Sequence, residues 1–326
     1  MAAPLAGGSI AVLVLVGVGA VAGETGGSDE WDELVAGARA EMRAHDFSGV
    51  MVVEWDDGTA TRQARIRVRH ADGVMHIEAA DGALVAAGDR RMITDGREWS
   101  TLAGGSTSGR LALASAKYDV ERRRGPLVAG RRTTIHEAGR DGVVVERVYV
   151  DDDSGLVLRR ERVDEHGTVV RAVAFETVRL DRGQSPPTTA VATAAPVAAD
   201  DFGEPLRDPD EVGDGFRLLG RWRHDDGTGQ LYYSDGVLGV SVFEQRGRLA
   251  WDALPDGHDA AVEGASARRY SLPVGEVLVF ERNGVVYTCV GDVPRDELVT
   301  LAADVSARDA GTWEKVTDTV LGPFRW

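Results

Sequence analysis

Three apolar-rich runs of the chain, separated by short turns, form its clearest pattern. The runs cover Val143–Val150, Leu156–Val163 and Thr168–Leu180, and the gaps between them end in Gly155 and Gly167. Each run is rich in valine and other residues that favour strands. Because short, glycine-ended gaps between such runs are typical of hairpins, this part of the chain is predicted to form an antiparallel meander.

The third run carries apolar side chains on both of its faces. Successive residues of a strand point to opposite faces. The first face holds Val170, Ala172 and Ala174, and the second holds Val169, Arg171, Val173 and Phe175. A sheet with one solvated face would alternate more cleanly between apolar and polar residues. Both faces are therefore predicted to be covered, either by other parts of the same domain or, on one side, by a ligand.

The pattern of short strands extends upstream of the meander. Apolar residues at helical spacing predict a helix over Trp31–His45. Strands then begin at Phe47–Trp55 and continue, through repeated Asp-Gly turns, to Leu102. The Gly- and Ser-rich stretch Gly104–Lys117 breaks the pattern and is interpreted as a mobile loop or a lid. We expect one curved antiparallel sheet with the helix packed against it.

A change of composition divides the chain into two parts. Residues 184–215 are rich in proline, threonine, alanine and acids without apolar periodicity, which predicts an interdomain linker. Beyond it, a hairpin at Asn283-Gly284 and a helix over Asp296–Ala307 indicate a smaller antiparallel domain. The predicted class is mainly β (α+β), with a first domain over residues 29–182 and a second over residues 216–326.

The first 23 residues carry no charged side chain. Their apolar centre, Ile10–Val16, falls short of the ~20 strongly apolar residues of a membrane-spanning helix. The stretch Ala20-Val21-Ala22 offers a cleavage site for a signal peptidase. Residues 1–23 are therefore interpreted as a signal peptide or a weak membrane anchor. The protein is expected to be exported to the periplasm or the extracytoplasmic cell envelope.

The charge and the cysteine content exclude some classes of protein. The 326 residues carry a net charge of −16. Because an acidic chain without a basic tail repels polyphosphates, general nucleic-acid binding is not expected. The single cysteine, Cys289, excludes an intramolecular disulfide. Its apolar neighbours predict a buried, inert thiol.

Against this acidic background, five arginines cluster within eleven positions. They are Arg122, Arg123, Arg124, Arg131 and Arg132. Such a local reversal of charge attracts acidic partners, and guanidinium groups bind carboxylates or phosphates through paired hydrogen bonds. The cluster is predicted to contact an acidic protein segment or an anionic lipid head group. The alternative is that each arginine pairs with a nearby acid of the same chain, such as Asp119, Glu121 or Glu137.

The sequence contains no motif for catalysis, a metal or a cofactor. It has no nucleophile elbow, no nucleotide-binding glycine pattern and no ligand pair at zinc spacing. What it predicts is an apolar ligand groove in the first domain, bordered by Trp55, Trp99 and Phe175 and overlain by the Gly104–Lys117 loop. The alternative is that both tryptophans belong to the ordinary core.

Several short motifs, in one order through both predicted domains, carry a resemblance to a known family. They are Val128-Ala129-Gly130-Arg131, Tyr149-Val150-Asp151, Ser154-Gly155-Leu156, Tyr233-Ser234-Asp235-Gly236 and Val290-Gly291-Asp292-Val293-Pro294. Together they resemble the RseB/MucB family of envelope-stress regulators, over a stretch from Phe47 to Ala307.

The resemblance implies a first domain like the curved sheets of LolA-type lipoprotein carriers. It implies a non-enzymatic protein that binds the extracytoplasmic part of a membrane-bound anti-sigma factor. Lipid or lipoprotein acyl chains would then act as a signal that releases this partner and so controls envelope-stress transcription. A lipid or lipoprotein carrier and a secreted hydrolase remain alternatives, and simple carriers of this fold lack the second domain. Whether copies of the chain associate is left open.

Overall fold

The computed structural model describes residues 44–71, 74–79, 82–87, 91–94, 97–100, 117–181, 209–223, 228–272 and 275–307, with six positions between 31 and 41. Within these ranges the chain forms an antiparallel sheet of eleven strands and a second one of eight. This confirms the predicted mainly β class, with a larger sheet followed by a smaller one. Here the first and second domains are these two sheets with the elements attached to them.

The first sheet is built around the pairing of its first and last strands. Its strands are β1 (Asp46–Asp56), β2 (Thr61–Ala71), β3 (Val74–Ala79), β4 (Gly82–Ala87), β5 (Arg91–Thr94), β6 (Arg97–Ser100), β7 (Asp119–Arg124), β8 (Thr133–Arg140), β9 (Val143–Asp151), β10 (Val157–Val163) and β11 (Val169–Asp181). Their order in the sheet is β6-β5-β4-β3-β2-β1-β11-β10-β9-β8-β7. Two series of hairpins, β2–β6 and β7–β10, therefore flank a central β1–β11 pair.

The second sheet carries a helix after its last strand. Its strands are β12 (Glu211–Val212), β13 (Phe216–Arg223), β14 (Gly229–Ser234), β15 (Gly239–Arg246), β16 (His258–Val262), β17 (Ala265–Leu272), β18 (Gly275–Arg282) and β19 (Val285–Gly291). Their order is β12-β13-β14-β15-β19-β18-β17-β16. A short 3-10 helix, Trp251–Ala253, precedes β16, and the helix α1 (Arg295–Ser306) follows β19.

Two tight turns show how the local sequence sets these hairpins. Asn283 and Gly284, between β18 and β19, have φ angles of 51° and 71°. Asp141 and Gly142, between β8 and β9, have φ angles of 53° and 77°. Positive φ at both central residues matches the twist of antiparallel strands, and Asn, Asp and Gly adopt it most readily. The hairpin predicted at Asn283-Gly284 is therefore present.

The predicted N-terminal helix packs against the first sheet. The positions described between 31 and 44 are helical, and Trp31, Leu34 and Ala38 are buried at helical spacing. Glu41 lies against the turn between β9 and β10, where a Cβ on Gly155 would approach its Cγ to 2.6 Å. Glycine at this turn thus allows the helix a close approach, as well as the positive φ of 69°.

The core of the second domain lies between its sheet and α1. Leu298 and Leu301 of α1 are fully buried. On the sheet, the rings of Phe280 and Tyr287 stack with centroids 5.0 Å apart. Cys289 is also fully buried in β19, and this burial raises the pKa of its thiol. The thiol is therefore protonated and packs as an apolar group.

Parts of the predicted organisation lie outside the described residues. These are the N-terminal segment 1–23, the lid except for Lys117, and most of the linker. Glu211 and Val212, near the end of the predicted linker, form β12 and so belong to the second sheet. The bounds of the two domains and of the linker stay a prediction.

Candidate functional site

The strand β7 is the last strand at one end of the first sheet, among the strands described, and it carries three of the clustered arginines. All its residues except Val120 are exposed. Because neighbouring residues of a strand alternate between faces, Arg122 and Arg124 share one face and Arg123 lies on the other. The three arginine side chains are therefore exposed on both faces of β7.

Arg123 ends a ladder of charges that crosses four strands. It donates to Glu137 at 2.9 and 3.0 Å. Arg147 also donates to Glu137, at 2.6 Å, and lies 3.4 Å from Glu161, which pairs in turn with Arg159 at 2.6 Å. The hydrogen bond from Arg123 holds the pKa of Glu137 below its usual range. For Arg123, the alternative of pairing within the chain therefore holds.

The other two arginines also have acids of the chain beside them. Arg131 Nη2 lies 2.7 Å from Asp151 Oδ2, and Arg132 Nη2 lies 3.8 Å from Asp153 Oδ1. Burial opposes ionisation of Asp151, but the hydrogen bonds from Arg131 and Ser154 outweigh it and lower the pKa of this carboxyl. Of the acids beside Arg123, Arg131 and Arg132, only Glu137 was among the partners predicted from the sequence, and Asp151 and Asp153 were not. The role of the cluster as a partner patch stays a prediction.

The three residues of the predicted ligand groove do not all lie together. Register places Trp55 and Phe175 on one face of the central β1–β11 pair. Phe175 is buried, with its ring edge-on to Phe47 at 5.9 Å, whereas the half-buried Trp55 donates its indole N–H to the carbonyl of Ser271 in the second domain, at 3.1 Å. Trp99 belongs to β6, which four other strands separate from β1, and its side chain lies outside the described residues. The groove stays a prediction.

The interface between the two domains contains buried ion pairs that the sequence did not predict. Arg171 Nη1 lies 2.5 Å from Asp292 Oδ1, and its Nη2 donates to the carbonyl of Leu272 at 3.2 Å. Arg160 Nη2 lies 3.7 Å from Asp292 Oδ2. Arg160 also donates two hydrogen bonds of 2.6 Å to Glu146 of its own domain. Asp292 therefore links the second domain to two arginines of the first.

A second carboxylate of the second domain, Asp235, is inserted in the same way. Its side chain has no exposed surface. Oδ2 accepts a hydrogen bond of 2.5 Å from the Tyr118 hydroxyl and one of 3.1 Å from Lys117 Nζ. Oδ1 accepts the backbone N–H of Val237 and of Leu238, which fixes the turn that presents the carboxylate. Burial next to Asp235 raises the pKa of the Tyr118 hydroxyl, so the hydroxyl stays protonated and donates.

Further contacts extend this interface at both ends. At one end, Arg140 Nη1 lies 3.2 Å from Asp214 Oδ2 and 3.6 Å from Glu297 Oε1. Burial raises the pKa of Glu297, and Arg140 opposes this effect. At the other end, the tip of the β1–β2 hairpin reaches the second domain, where His258 Nε2 lies 3.1 Å from the carbonyl oxygen of Asp57. Polar and charged groups therefore connect the two domains along this interface.

The sequence did not predict the interface, because the charged residues that form it cannot be distinguished in the sequence from charged residues exposed to solvent. Arg160, Glu161 and Arg162 follow one another in β10, yet each is at most 8% exposed. One signal was present: Arg171 interrupts an otherwise apolar strand face. A charge at such a position indicates a buried partner. The partner itself, Asp292, lies 121 residues further on.

Within the described residues, no three His, Cys, Asp or Glu side chains converge as they would around a metal ion. None of the helices in that part of the chain is both long and apolar enough to cross a bilayer.

Comparison with known proteins shows similarity to solved structures. No family model and no curated protein matches the sequence. The Pseudomonas aeruginosa MucA/MucB complex is 19% identical, with a TM-score of 0.45, and the match covers 83% of this chain and 96% of that one. A crystal structure of MucB is 19% identical with a TM-score of 0.48, over 86% of this chain and 97% of that one. A LolA superfamily protein from Nitrosomonas europaea is 10% identical with a TM-score of 0.18, over 77% and 89%. At these identities the likeness concerns the fold alone.

Proposed function

We propose that the chain is an exported, non-enzymatic regulatory protein that binds the extracytoplasmic part of a membrane-bound anti-sigma factor. The observation that carries this proposal is the exposed strand β7, where Arg122 and Arg124 share one face at the end of a sheet in a protein of net charge −16. An end strand offers backbone groups to an extended segment, and its arginines select an acidic one. The motifs that resemble the RseB/MucB family indicate which class of partner supplies that segment.

The experiment compares two triple variants with the same change of charge. The first replaces Arg122, Arg123 and Arg124 with serine. The matched control replaces three arginines of β2 whose side chains are 56–79% exposed, namely Arg62, Arg65 and Arg67. Each protein is captured on a biosensor and exposed to the purified extracytoplasmic domain of an anti-sigma factor encoded in the same genome.

The β7 variant is expected to associate about tenfold more slowly than the wild type at low ionic strength, because exposed charges mainly steer encounter. The difference should shrink as salt is added, since exposed charges are screened over ~8–10 Å. The β2 variant should bind like the wild type. Equal association rates for the β7 variant and the wild type would refute the proposed surface.

We also propose that acyl chains of a lipid or a lipoprotein act as the signal that releases this partner and so control envelope-stress transcription. The support is the face of β1 and β11 on which Trp55 and Phe175 lie, next to the second domain. An acyl chain that enters there competes with the hydrogen bond from Trp55 to Ser271.

The tryptophan fluorescence of the protein tests this signal. A palmitoylated lipopeptide should shift the emission of the wild type and of a Trp251→Phe control, but should leave that of Trp55→Phe almost unchanged. It should also speed release of the anti-sigma factor domain. An equal shift in all three proteins would place the acyl chain elsewhere.

A non-enzymatic protein should further show no turnover on a broad panel of esters, glycosides and peptides.

A further inference from the structure

The two domains present opposite charges to each other across their interface. The first domain contributes the cations Lys117, Arg140, Arg160, Arg162 and Arg171. The second contributes the carboxylates Asp214, Asp235, Asp292 and Glu297. Of the cations, Arg160 is neutralised within its own domain by Glu146. The first domain therefore carries a basic face, and the second domain covers it with acids.

Two carboxylates of the second domain are seated deeply in this basic face. The side chain of Asp235 is fully buried and that of Asp292 is 12% exposed. Each accepts a hydrogen bond of 2.5 Å from the first domain, from Tyr118 and Arg171 respectively. The face thus has at least two positions that bind a carboxylate oxygen.

The same face has donors that the second domain leaves unused. Arg171 Nε is buried and has no hydrogen-bond partner among the described residues. The guanidinium of Arg162, also buried, donates only to the carbonyl of Val145 within the described part of the chain. Its charge acts on Asp292 and Glu297 without a direct contact. A purely structural core would be expected to satisfy such donors.

We propose that this basic face is a docking surface for an acidic polypeptide segment, and that Asp235 and Asp292 occupy it in the arrangement seen here. The second domain then acts as an internal competitor of the segment. Burying charged pairs costs desolvation free energy that offsets much of their attraction. A segment that supplies several carboxylates can in addition use Arg171 Nε and the Arg162 guanidinium, the donors that Asp235 and Asp292 leave unused. This inference concerns a surface distinct from β7 and does not require the partner to be an anti-sigma factor.

The test weakens the binding of the second domain to the basic face and leaves the size of the two side chains nearly unchanged. In the variant Asp235→Asn/Asp292→Asn, each amide keeps one oxygen but turns an N–H₂ group toward donors of the first domain. The matched control, Asp256→Asn/Asp259→Asn, removes the same charge from exposed positions of the second domain. The probe is a fluorescein-labelled decaglutamate peptide, and its anisotropy is measured at about 50 mM NaCl, where exposed charges are weakly screened.

The Asp235/Asp292 variant is expected to bind the peptide about tenfold more tightly than the wild type, as charge complementarity across a newly opened surface predicts. The control variant should bind like the wild type. Adding Arg162→Ser and Arg171→Ser to the open variant should abolish the gain. The radius of gyration from small-angle scattering should increase in the open variant and stay constant in the control.

Each other outcome overturns the proposal. If the variant opens without binding more tightly, the face is not a docking surface. If it neither opens nor gains affinity, Asp235 and Asp292 do not hold the domains together. If the gain survives loss of Arg162 and Arg171, the peptide binds elsewhere. The single variants Asp235→Asn and Asp292→Asn give the same comparison with smaller gains, should the double variant not fold.

Discussion

Arg171 and Asp292 are 121 residues apart and belong to different sheets, yet Arg171 Nη1 lies 2.5 Å from Asp292 Oδ1. Arg171 stands in β11, next to the central strand β1, and Asp292 directly follows β19. Burial disfavours the charged form of Asp292, but the nearby Arg171 and Arg160 outweigh it and lower the pKa of this carboxyl. The pair therefore stays ionised and holds the last strand of the second domain against the centre of the first sheet.

Replacing Asp292 with alanine should destabilise the protein strongly. Arg171 and Arg160 would remain buried at the interface with one carboxylate fewer, and an uncompensated buried charge costs about 3–5 kcal/mol. Urea unfolding followed by circular dichroism measures the change. Asp259→Ala, at a position 94% exposed, should alter the free energy of unfolding by less than about 0.5 kcal/mol. Equal effects of the two substitutions would show that the ion pair contributes nothing.

The carboxyl of Asp151 should make stability depend on pH in acid. Its pKa is lowered in the folded protein. Its contribution is therefore complete above the unfolded-state pKa of about 3.9 and is lost as the pH falls through the lower folded-state value. The gap in unfolding free energy between the wild type and Asp151→Asn should be constant near neutrality and shrink below about pH 4. A gap that is the same at every pH would contradict the prediction.

Two glycines should respond to alanine in opposite directions. A Cβ on Gly49 in β1 would overlap the carbonyl oxygen of Thr177 and approach the ring of Phe175 to 3.1 Å. Gly49→Ala should therefore lower the free energy of unfolding by about 2–3 kcal/mol. Gly37 is helical and has open space around its Cβ position. Gly37→Ala should stabilise the protein by about 0.5–1 kcal/mol, because alanine loses less backbone entropy. Thermal unfolding of both variants checks the signs.

The ion pair between Arg123 and Glu137, at the end of the charge ladder, should contribute little to the free energy of unfolding although its hydrogen bonds are short. Arg123 is 52% exposed, so water screens its pair with Glu137. A double-mutant cycle with Arg123→Ala and Glu137→Ala should give a coupling of about 0.2–1 kcal/mol at low salt. The coupling should fall further at about 1 M NaCl, where the screening length is only ~3 Å. A larger coupling that resists salt would show that the pair is shielded, and would weaken Arg123 as a candidate for partner contact.

The sequence predicts the hairpins of both sheets well, because each depends on residues close together in the chain. Asn283-Gly284 is such a case, and so is the meander that ends with β11. The pairing of β1 with β11 depends on strands far apart, and local patterns carry no information about it. The same limit applies to the charges. Glu137, fourteen residues from Arg123, was among the predicted partners. Asp292 was not, since only the folded chain brings it to Arg171.

The β1–β11 pairing also decides when the chain can complete its first sheet. Asp46 pairs with Asp181 and Trp55 with Arg171, so β1 cannot complete its pairing until the last strand of its own sheet has been synthesised. Until then, one edge of β1 offers unpaired backbone groups to other chains. Contacts this distant in sequence slow folding. Over that interval β1, whose partner positions in β11 lie between 116 residues (Trp55 to Arg171) and 135 residues (Asp46 to Asp181) further along the chain, is open to pairing with a strand of another molecule.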